Sequence, residues 1–249
     1  MKVLALIPAR SGSKGIKDKN IATVGGHPLL AYSIAVAKLC ENIDEVIVST
    51  DSTDYAAVAT KYGAMVPFLR PKSLALDNSL DSDFFNHAME WYKNNDISLP
   101  DFVVHLRPTT PIRDSAVISH AISFMIKNPD FTALRSAHET HLTPYKMFKN
   151  AGDYMKPFLE LEDVLESYNL PRQVFEKCFI PNGYVDILRP RVFMSGAHLH
   201  GQKMKMWETR EIPDIDTIAE LEQVERTIVS GGANVLSQYL DNKSKRISF

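Results

Sequence analysis

Cysteine is nearly absent: Cys40 and Cys178 are the only two, far apart in the chain. That excludes a disulfide framework and any CxxC metal site, and makes a reducing, cytoplasmic setting the simplest expectation. No run of about 18 apolar residues occurs, so no segment is expected to span a membrane. The apolar run Val3 to Ile7 is too short for the core of a signal peptide, and charged residues follow at once, so it reads as a buried strand. Neither sign of charge dominates: 28 Lys+Arg stand against 30 Asp+Glu, a formal net charge of −2. A general nucleic-acid binder carries a basic excess, so nucleic acid is not an expected partner. Internal repeats and low-complexity tracts are also missing. With 249 residues and 45% hydrophobic content, the chain has ample material for a sizeable core.

What is present alternates. Lys2 to Pro8, Glu45 to Thr50 and Phe102 to Leu106 have strand character, as do Tyr184 to Leu188 and Lys203 to Trp207. Between them, Leu29 to Leu39, Tyr55 to Tyr62, Phe84 to Tyr92 and Val117 to Ile126 have helical spacing. Gly63 closes the second helix, and a terminal helix is expected from about Thr217 to Val229. The pattern predicts an α/β fold: a Rossmann-like, mostly parallel sheet with helices on both faces, binding its ligand beyond the carboxyl ends of the strands. From about 138 to 177 it breaks down, punctuated by Pro144, Pro157 and Pro171. A structureless loop of that length is improbable inside a compact domain, so the segment reads as an inserted arm that packs on another subunit. The tail from Asp241 to Phe249 reads as polar and frayed.

The segment Pro8-Ala9-Arg10-Ser11-Gly12-Ser13-Lys14-Gly15, running on to Lys17, Lys19 and Asn20, follows the first strand directly. Gly12 and Gly15 permit unusual backbone angles, so that amides can converge on an anion. Ser11 and Ser13 add hydroxyls; Arg10 offers a planar fork, and Lys14 and Lys19 point charges. Such a loop suits a triphosphate, against the alternative of a basic surface turn. It is not a Walker A loop, because Gly15 follows Lys14 where Ser or Thr is required, and it is not GxGxxG.

Near the end, Ile212-Pro213-Asp214-Ile215-Asp216-Thr217 places two carboxylates at i and i+2, on one face of an extended segment with Ile215 turned inward. Two hard oxygen ligands suit Mg²⁺ beside phosphates. Equally, both aspartates would decorate a helix N-terminus, where Thr217 and Glu220 form a capping box. His138-Glu139-Thr140-His141 has two residues between its histidines, not the three of HExxH, so zinc is not expected. Asp51 either touches the nucleotide or caps the next helix; Trp91 and Tyr92 read as packing residues, and both cysteines as buried filler.

Taken together, these segments resemble the acylneuraminate cytidylyltransferases, or CMP-sialic acid synthetases, including CMP-legionaminic acid synthetase-like members, and more distantly the CMP-Kdo synthetases. The matching stretches are IPARSGSKGIKDKN at 7–20, STDS at 49–52, FLRP at 68–71, LRPTTPIR at 106–113, LPRQ at 170–173, FIPNG at 179–183 and PDIDT at 213–217. The resemblance implies one nucleotidyltransferase domain over 1–249 with a dimerisation arm, and hence a homodimer. It implies transfer of CMP from CTP to the anomeric hydroxyl of a nonulosonic (sialic, legionaminic or pseudaminic-like) acid, with pyrophosphate leaving. Arg10, Lys14 and Lys19 would hold the CTP phosphates, Arg10 and Lys14 stabilising the leaving pyrophosphate. Asn20 and Arg70 would lie near the nucleotide. Asp214 and Asp216 would bind Mg²⁺ or Mn²⁺. Lys146 and Arg172 would reach the neighbouring subunit's sugar carboxylate, and Asn182 would line the sugar side. Two residues depart from the sialic acid pattern: Arg107 stands where Gln is usual, and Asp81 where Ser is usual. Both departures fall on the acceptor side. Arg107 would either recognise the acceptor's carboxylate or pair internally with Asp81. The alternatives to this reading are a cytidylyltransferase for Kdo or another acidic acceptor, and a non-catalytic nucleotide-binding protein of the same fold.

Overall fold

The computed structural model describes residues 1–196 and 198–247. Its strands are β1 (Val3–Pro8), β2 (Thr23–Val24), β3 (His27–Pro28), β4 (Glu45–Ser49), β5 (Phe102–His105), β6 (Ala133–Thr140), β7 (Phe148–Asn150), β8 (Met155–Pro157), β9 (Cys178–Leu188) and β10 (Met204–Glu208). Its helices are α1 (Leu29–Leu39), α2 (Thr53–Lys61), α3 (Asp81–Asn94), α4 (Ser115–Lys127), the short α5 (Pro190–Phe193), α6 (Ile218–Thr227) and α7 (Asn234–Ile247).

Six strands form one sheet in the order β10-β6-β9-β5-β1-β4. β1 runs parallel to β4 and β5, and β10 parallel to β6, while β9 is antiparallel to both β5 and β6. Five strands therefore share one direction and β9 alone is reversed. The expected mostly parallel sheet is present. The reversal was not readable, because a strand buried on both faces carries the same apolar run in either direction.

Side chains alternate across the pleat. Val3, Ala5 and Ile7 join Val46, Val48 and Val104 in a core against α1, α2, α4 and α7. Leu4, Leu6, Ile47 and Val103 pack on the other face against Phe84, Phe85, Met89 and Tyr92 of α3 and Phe193 of α5. Helices thus cover both faces, and burial on both sides explains why the strands are continuous apolar runs. At roughly 25 cal/mol per Å², each fully buried Leu or Ile contributes on the order of 2 kcal/mol.

Several expectations need correction. β6 continues to Thr140 and pairs there with Cys178 at the start of β9, so the excursion spans 141–177 and residues 138–140 belong to the sheet. Its contents are the small β7–β8 hairpin and short 3₁₀ turns. Asp241 to Ile247 are helical rather than frayed: Leu236 and Leu240 are buried, and Asp241 accepts from His27 at 2.9 Å, which fastens α7 to the core. Ser248 and Phe249 lie outside the described residues. The cap of α2 is Ser52, whose hydroxyl accepts from the Tyr55 amide, and not Asp51. Cys40 is buried, but Cys178 is only half-buried. The Thr217–Glu220 capping box forms at α6 as the sequence predicts. Among the described residues no helix is long and apolar enough to cross a membrane.

Candidate functional site

β1 and β5 end side by side, and the loops that follow them wall a cleft of about 290 Å³. Seven of the residues singled out in the sequence line it: Arg10, Ser13, Lys19, Asn20, Arg70, Asp81 and Arg107. This is the carboxyl end of the parallel strands, where open α/β sheets take their ligands.

The basic loop is held from several sides. Gly12 has φ +76°, a conformation that favours glycine. Gly15 has a different reason: a Cβ there would lie 2.5 Å from the Asp216 carbonyl, so glycine permits the backbone to touch the 213–217 strip. The buried Asn20 donates from Nδ2 to the Arg10 carbonyl at 3.0 Å. Ser11 gives both its amide and its hydroxyl to Asp51, each at 2.7 Å, so these two donors are engaged inside the protein. Burial pulls the Asp51 carboxyl up, but the Ser11 bonds and Arg70 outweigh it and the net shift is downward. Arg70 is buried, and its Nη2 donates to the Ser49 carbonyl at 2.9 Å, while its Nε has no hydrogen-bond partner. Burial lowers its pKa to about 10, against the pull of Asp51, so it stays cationic at neutral pH.

Asp77 bridges the two foremost cations, accepting from Arg10 Nη1 at 2.8 Å and meeting Lys14 Nζ at 2.5 Å. Both contacts hold its carboxyl below the usual range. An anion is therefore already seated between Arg10 and Lys14. Lys14 itself is largely exposed and lies outside the cleft lining.

The carboxylate strip alternates as its sequence suggests: Ile215 is fully buried between exposed Asp214 and Asp216. The Ile215 amide donates to the carbonyl of Thr109, which lines the cleft, at 2.9 Å. Lys19 ties this strip to the basic loop, donating to the Ile215 carbonyl at 2.6 Å and to Asp216 Oδ1 at 2.8 Å. Asp216 thus stands at the cleft's edge. Asp214 lines a neighbouring surface hollow with Glu211 and Glu220. Among the described residues no group of three or more His, Cys, Asp or Glu is gathered for a metal. With Asp214 in the adjoining hollow and Asp216 paired with Lys19, the strip offers a partial donor set. It suits Mg²⁺ or Mn²⁺ when phosphate oxygens and water supply the rest.

Arg107 is paired, and with more than Asp81. Its Nη2 donates to Asp81 Oδ2 at 2.9 Å and its Nη1 to Asp186 Oδ2 at 3.1 Å. Burial disfavours the guanidinium's charge, but the two carboxylates outweigh it and its pKa is raised.

The other acceptor-side candidates lie elsewhere in this chain. Lys146 and Arg172 sit on the 141–177 excursion, where Lys146 Nζ donates to the Tyr168 carbonyl at 2.9 Å; neither lines the cleft. Asn182 is buried and engaged, its Nδ2 donating to Thr209 Oγ1 at 2.8 Å and to the Arg210 carbonyl at 3.1 Å. It fixes β9 to the segment after β10.

Sequence reasoning missed Asp77, Asp186 and Arg113. Asp186 had a signal, a lone acid inside the apolar run of β9. Arg113 ends the LRPTTPIR segment. Buried, it donates to the carbonyls of Tyr184 (2.7 Å), Arg107 (2.8 Å) and Gly183 (3.0 Å), and to the Thr110 hydroxyl. Burial lowers its pKa to about 9. It holds the 107–113 loop, and so Arg107, against β9. Asp77 gave no local signal, because its partners lie more than sixty residues away.

Comparison with known proteins gives the family and the fold. A family model described as cytidylyltransferase matches residues 4–157. The chain is 34% identical over 202 residues to an N-acylneuraminate cytidylyltransferase of Escherichia coli O18:K1:H7, covering 81% of this chain but 45% of that protein's length. It is 32% identical over 222 residues to a CMP-N,N'-diacetyllegionaminic acid synthase of Legionella pneumophila, covering 87% of this chain and 92% of that one. In fold it is similar to a CMP:2-keto-3-deoxy-manno-octonic acid synthetase complexed with CTP, at a TM-score of 0.70 and 16% identity, over 92% of this chain and 99% of that one. A family match over well over half the chain, and a relative above 30% identity along nearly its whole length, make this chain a member of the cytidylyltransferase family and a nucleotidyltransferase enzyme.

Proposed function

We propose that the protein transfers CMP from CTP to the anomeric hydroxyl of a nonulosonic acid of the sialic, legionaminic or pseudaminic type. The observation that carries this reading is the junction of the basic loop with the carboxylate strip through Lys19 and Gly15, at the rim of one cleft. The family membership and the names of the relatives support the acceptor class.

In this reading the hydroxyl oxygen attacks the α-phosphorus of CTP and the bond to the β-phosphate oxygen breaks, releasing pyrophosphate. Arg10, Lys14 and Lys19 hold the triphosphate, with Ser13 and the Gly12 amide beside them. Arg10 and Lys14 stabilise the charge that grows on the leaving group. To do so they exchange Asp77 for phosphate oxygens. Ser11 acts indirectly, since Asp51 holds it. Arg70 and Asn20 shape the nucleotide end. Asp214 and Asp216 would hold Mg²⁺ or Mn²⁺, which when bound neutralises phosphate charge and orients the reacting groups. Asp81 and Arg107 face the acceptor. Lys146 and Arg172 serve the partner subunit of a homodimer, and Asn182 supports the acceptor side by fixing β9. We place the reaction in the cytoplasm, in keeping with two free thiols.

The test is pyrophosphate release from CTP and Mg²⁺ with a panel of 2-keto-3-deoxy sugar acids, Kdo included. Release that requires a nonulosonic acid is the expected result. Release with Kdo alone reassigns the acceptor, and CTP binding without turnover on any acceptor overturns the enzymatic reading.

A further inference from the structure

Beneath the cleft wall lies a chain of charges that ends at Asp81 on the cleft's lining. Asp186 on β9 is 2% exposed, and only one of its oxygens, Oδ2, is hydrogen-bonded, to Arg107. Arg135 Nε stands 3.7 Å from its other oxygen and His105 Nδ1 3.9 Å from Oδ2, both beyond hydrogen-bond reach. Burial and the nearby Arg107, Arg113 and Arg135 hold the His105 pKa well below its usual value, so it stays neutral and supplies no compensating charge. Among the described residues Arg107 is therefore the one hydrogen-bonded cation of a buried carboxylate, and removing it would strand that charge at high cost. Arg107 is not free to leave for a ligand. Its other nitrogen holds Asp81 Oδ2 at 2.9 Å. Asp81, the first residue of α3, is half-exposed and lines the cleft.

We infer that Asp81 is the acceptor-specificity residue of this enzyme, and that Asp186 and Arg107 are positioning residues that hold its carboxylate at the cleft wall. The inference rests on the cytidylyl-transfer reading above. An ionised carboxylate only accepts hydrogen bonds, so Asp81 selects an acid sugar that presents an O–H or amide N–H donor to the start of α3. A serine there can turn to either role; an aspartate held by arginine cannot. The site therefore rejects acceptors that present a bare acceptor oxygen or a second anion at that point. Arg107, although cationic, is not the carboxylate hook its charge suggests, because two carboxylates, Asp186 and Asp81, already meet that charge.

The experiment uses the full chain with CTP, Mg²⁺ and the best acceptor of the panel, beside deoxy and O-methyl analogues of that acceptor. Asp81→Ser is expected to raise the acceptor KM about tenfold or more, the loss of one charge-assisted hydrogen bond, with the CTP KM within about twofold. One analogue that lacks the donor should lose that discrimination in the variant. Asp186→Asn should raise the acceptor KM in the wild-type background and have little further effect beside Asp81→Ser, as a double-mutant cycle reads coupling. If Asp186→Asn does not fold, Arg107→Lys reads the same cycle. Turnover with an unchanged acceptor KM in Asp81→Ser, or equal effects of the second change in both backgrounds, overturns the inference and leaves the functional reading standing. No pyrophosphate release with any acceptor overturns both.

Discussion

Lys19→Met removes the side chain that, among the described residues, joins the basic loop to the carboxylate strip. The Lys19 stem is buried, with its side chain 11% exposed, and methionine preserves most of that apolar packing. Two interactions are lost. The pair with Asp216 faces a side chain that is 77% exposed, so solvent screening limits it to less than about 1 kcal/mol. The bond to the Ile215 carbonyl is buried and charge-assisted, and contributes about 1.5–3 kcal/mol. Release of the ammonium from a poorly solvated position offsets part of this. The expected net loss is about 2 kcal/mol, which for a chain of this size lowers Tm by about 4–8 °C. Asp216→Asn keeps an oxygen toward Lys19 and leaves the carbonyl bond intact, so its Tm should fall by less than about 3 °C. Thermal melts of ligand-free protein, followed by circular dichroism, compare the two. A Lys19→Met melt within about 1 °C of wild type, or an Asp216→Asn melt that falls as far as Lys19→Met, would refute Lys19 as the tie between the segments.

Asp77→Asn should lower the CTP KM, since Arg10 and Lys14 no longer have a competing carboxylate; nucleotide titration with an unchanged KM would remove Asp77 from the phosphate site. Acid should destabilise the fold through His105: burial depresses its folded pKa, so as pH falls below the unfolded value of 6.5 the unfolded chain binds the extra proton and stability falls. His105→Gln should flatten that part of the Tm–pH profile, and an unchanged slope would show that His105 does not carry it. If the arm crosses between subunits as proposed, mixed dimers of a Lys146→Ala/Arg172→Ala chain with an Asp216→Asn chain collect every lesion in one site and none in the other. Activity should therefore recover above both parents, and no recovery in a verified heterodimer would mean the arm serves its own subunit.

Local chemistry was legible where neighbours in sequence decide it. The bounds of α1, the Gly63 stop, the Thr217–Glu220 box and the burial of Ile215 between two exposed aspartates all follow from side-chain pattern. The direction of β9 did not, because hydrogen-bond sense leaves no trace in a doubly buried strand. α7 was hidden by its polar surface; its hold on the core comes from Leu236, Leu240 and the distant His27. At the site, the segments that meet were identifiable, but not how their charges pair. The pattern suggests that Gly15, like Gly12, is needed for an unusual backbone angle, whereas its φ is not positive and the Asp216 carbonyl against it explains the glycine. Asp51, Asp77 and Asp186 each act on residues forty or more positions away, and no local pattern encodes such a pairing.

Isotope tracing of the bond that forms tests the central claim most directly. An acceptor acid carrying ¹⁸O in its anomeric hydroxyl is turned over with unlabelled CTP, and the CMP conjugate and pyrophosphate are analysed by mass spectrometry. Attack by that hydroxyl on the α-phosphorus leaves the label in the bridge between sugar and phosphate and none in pyrophosphate. Label absent from the conjugate's phosphate bridge, or present in pyrophosphate, would contradict it.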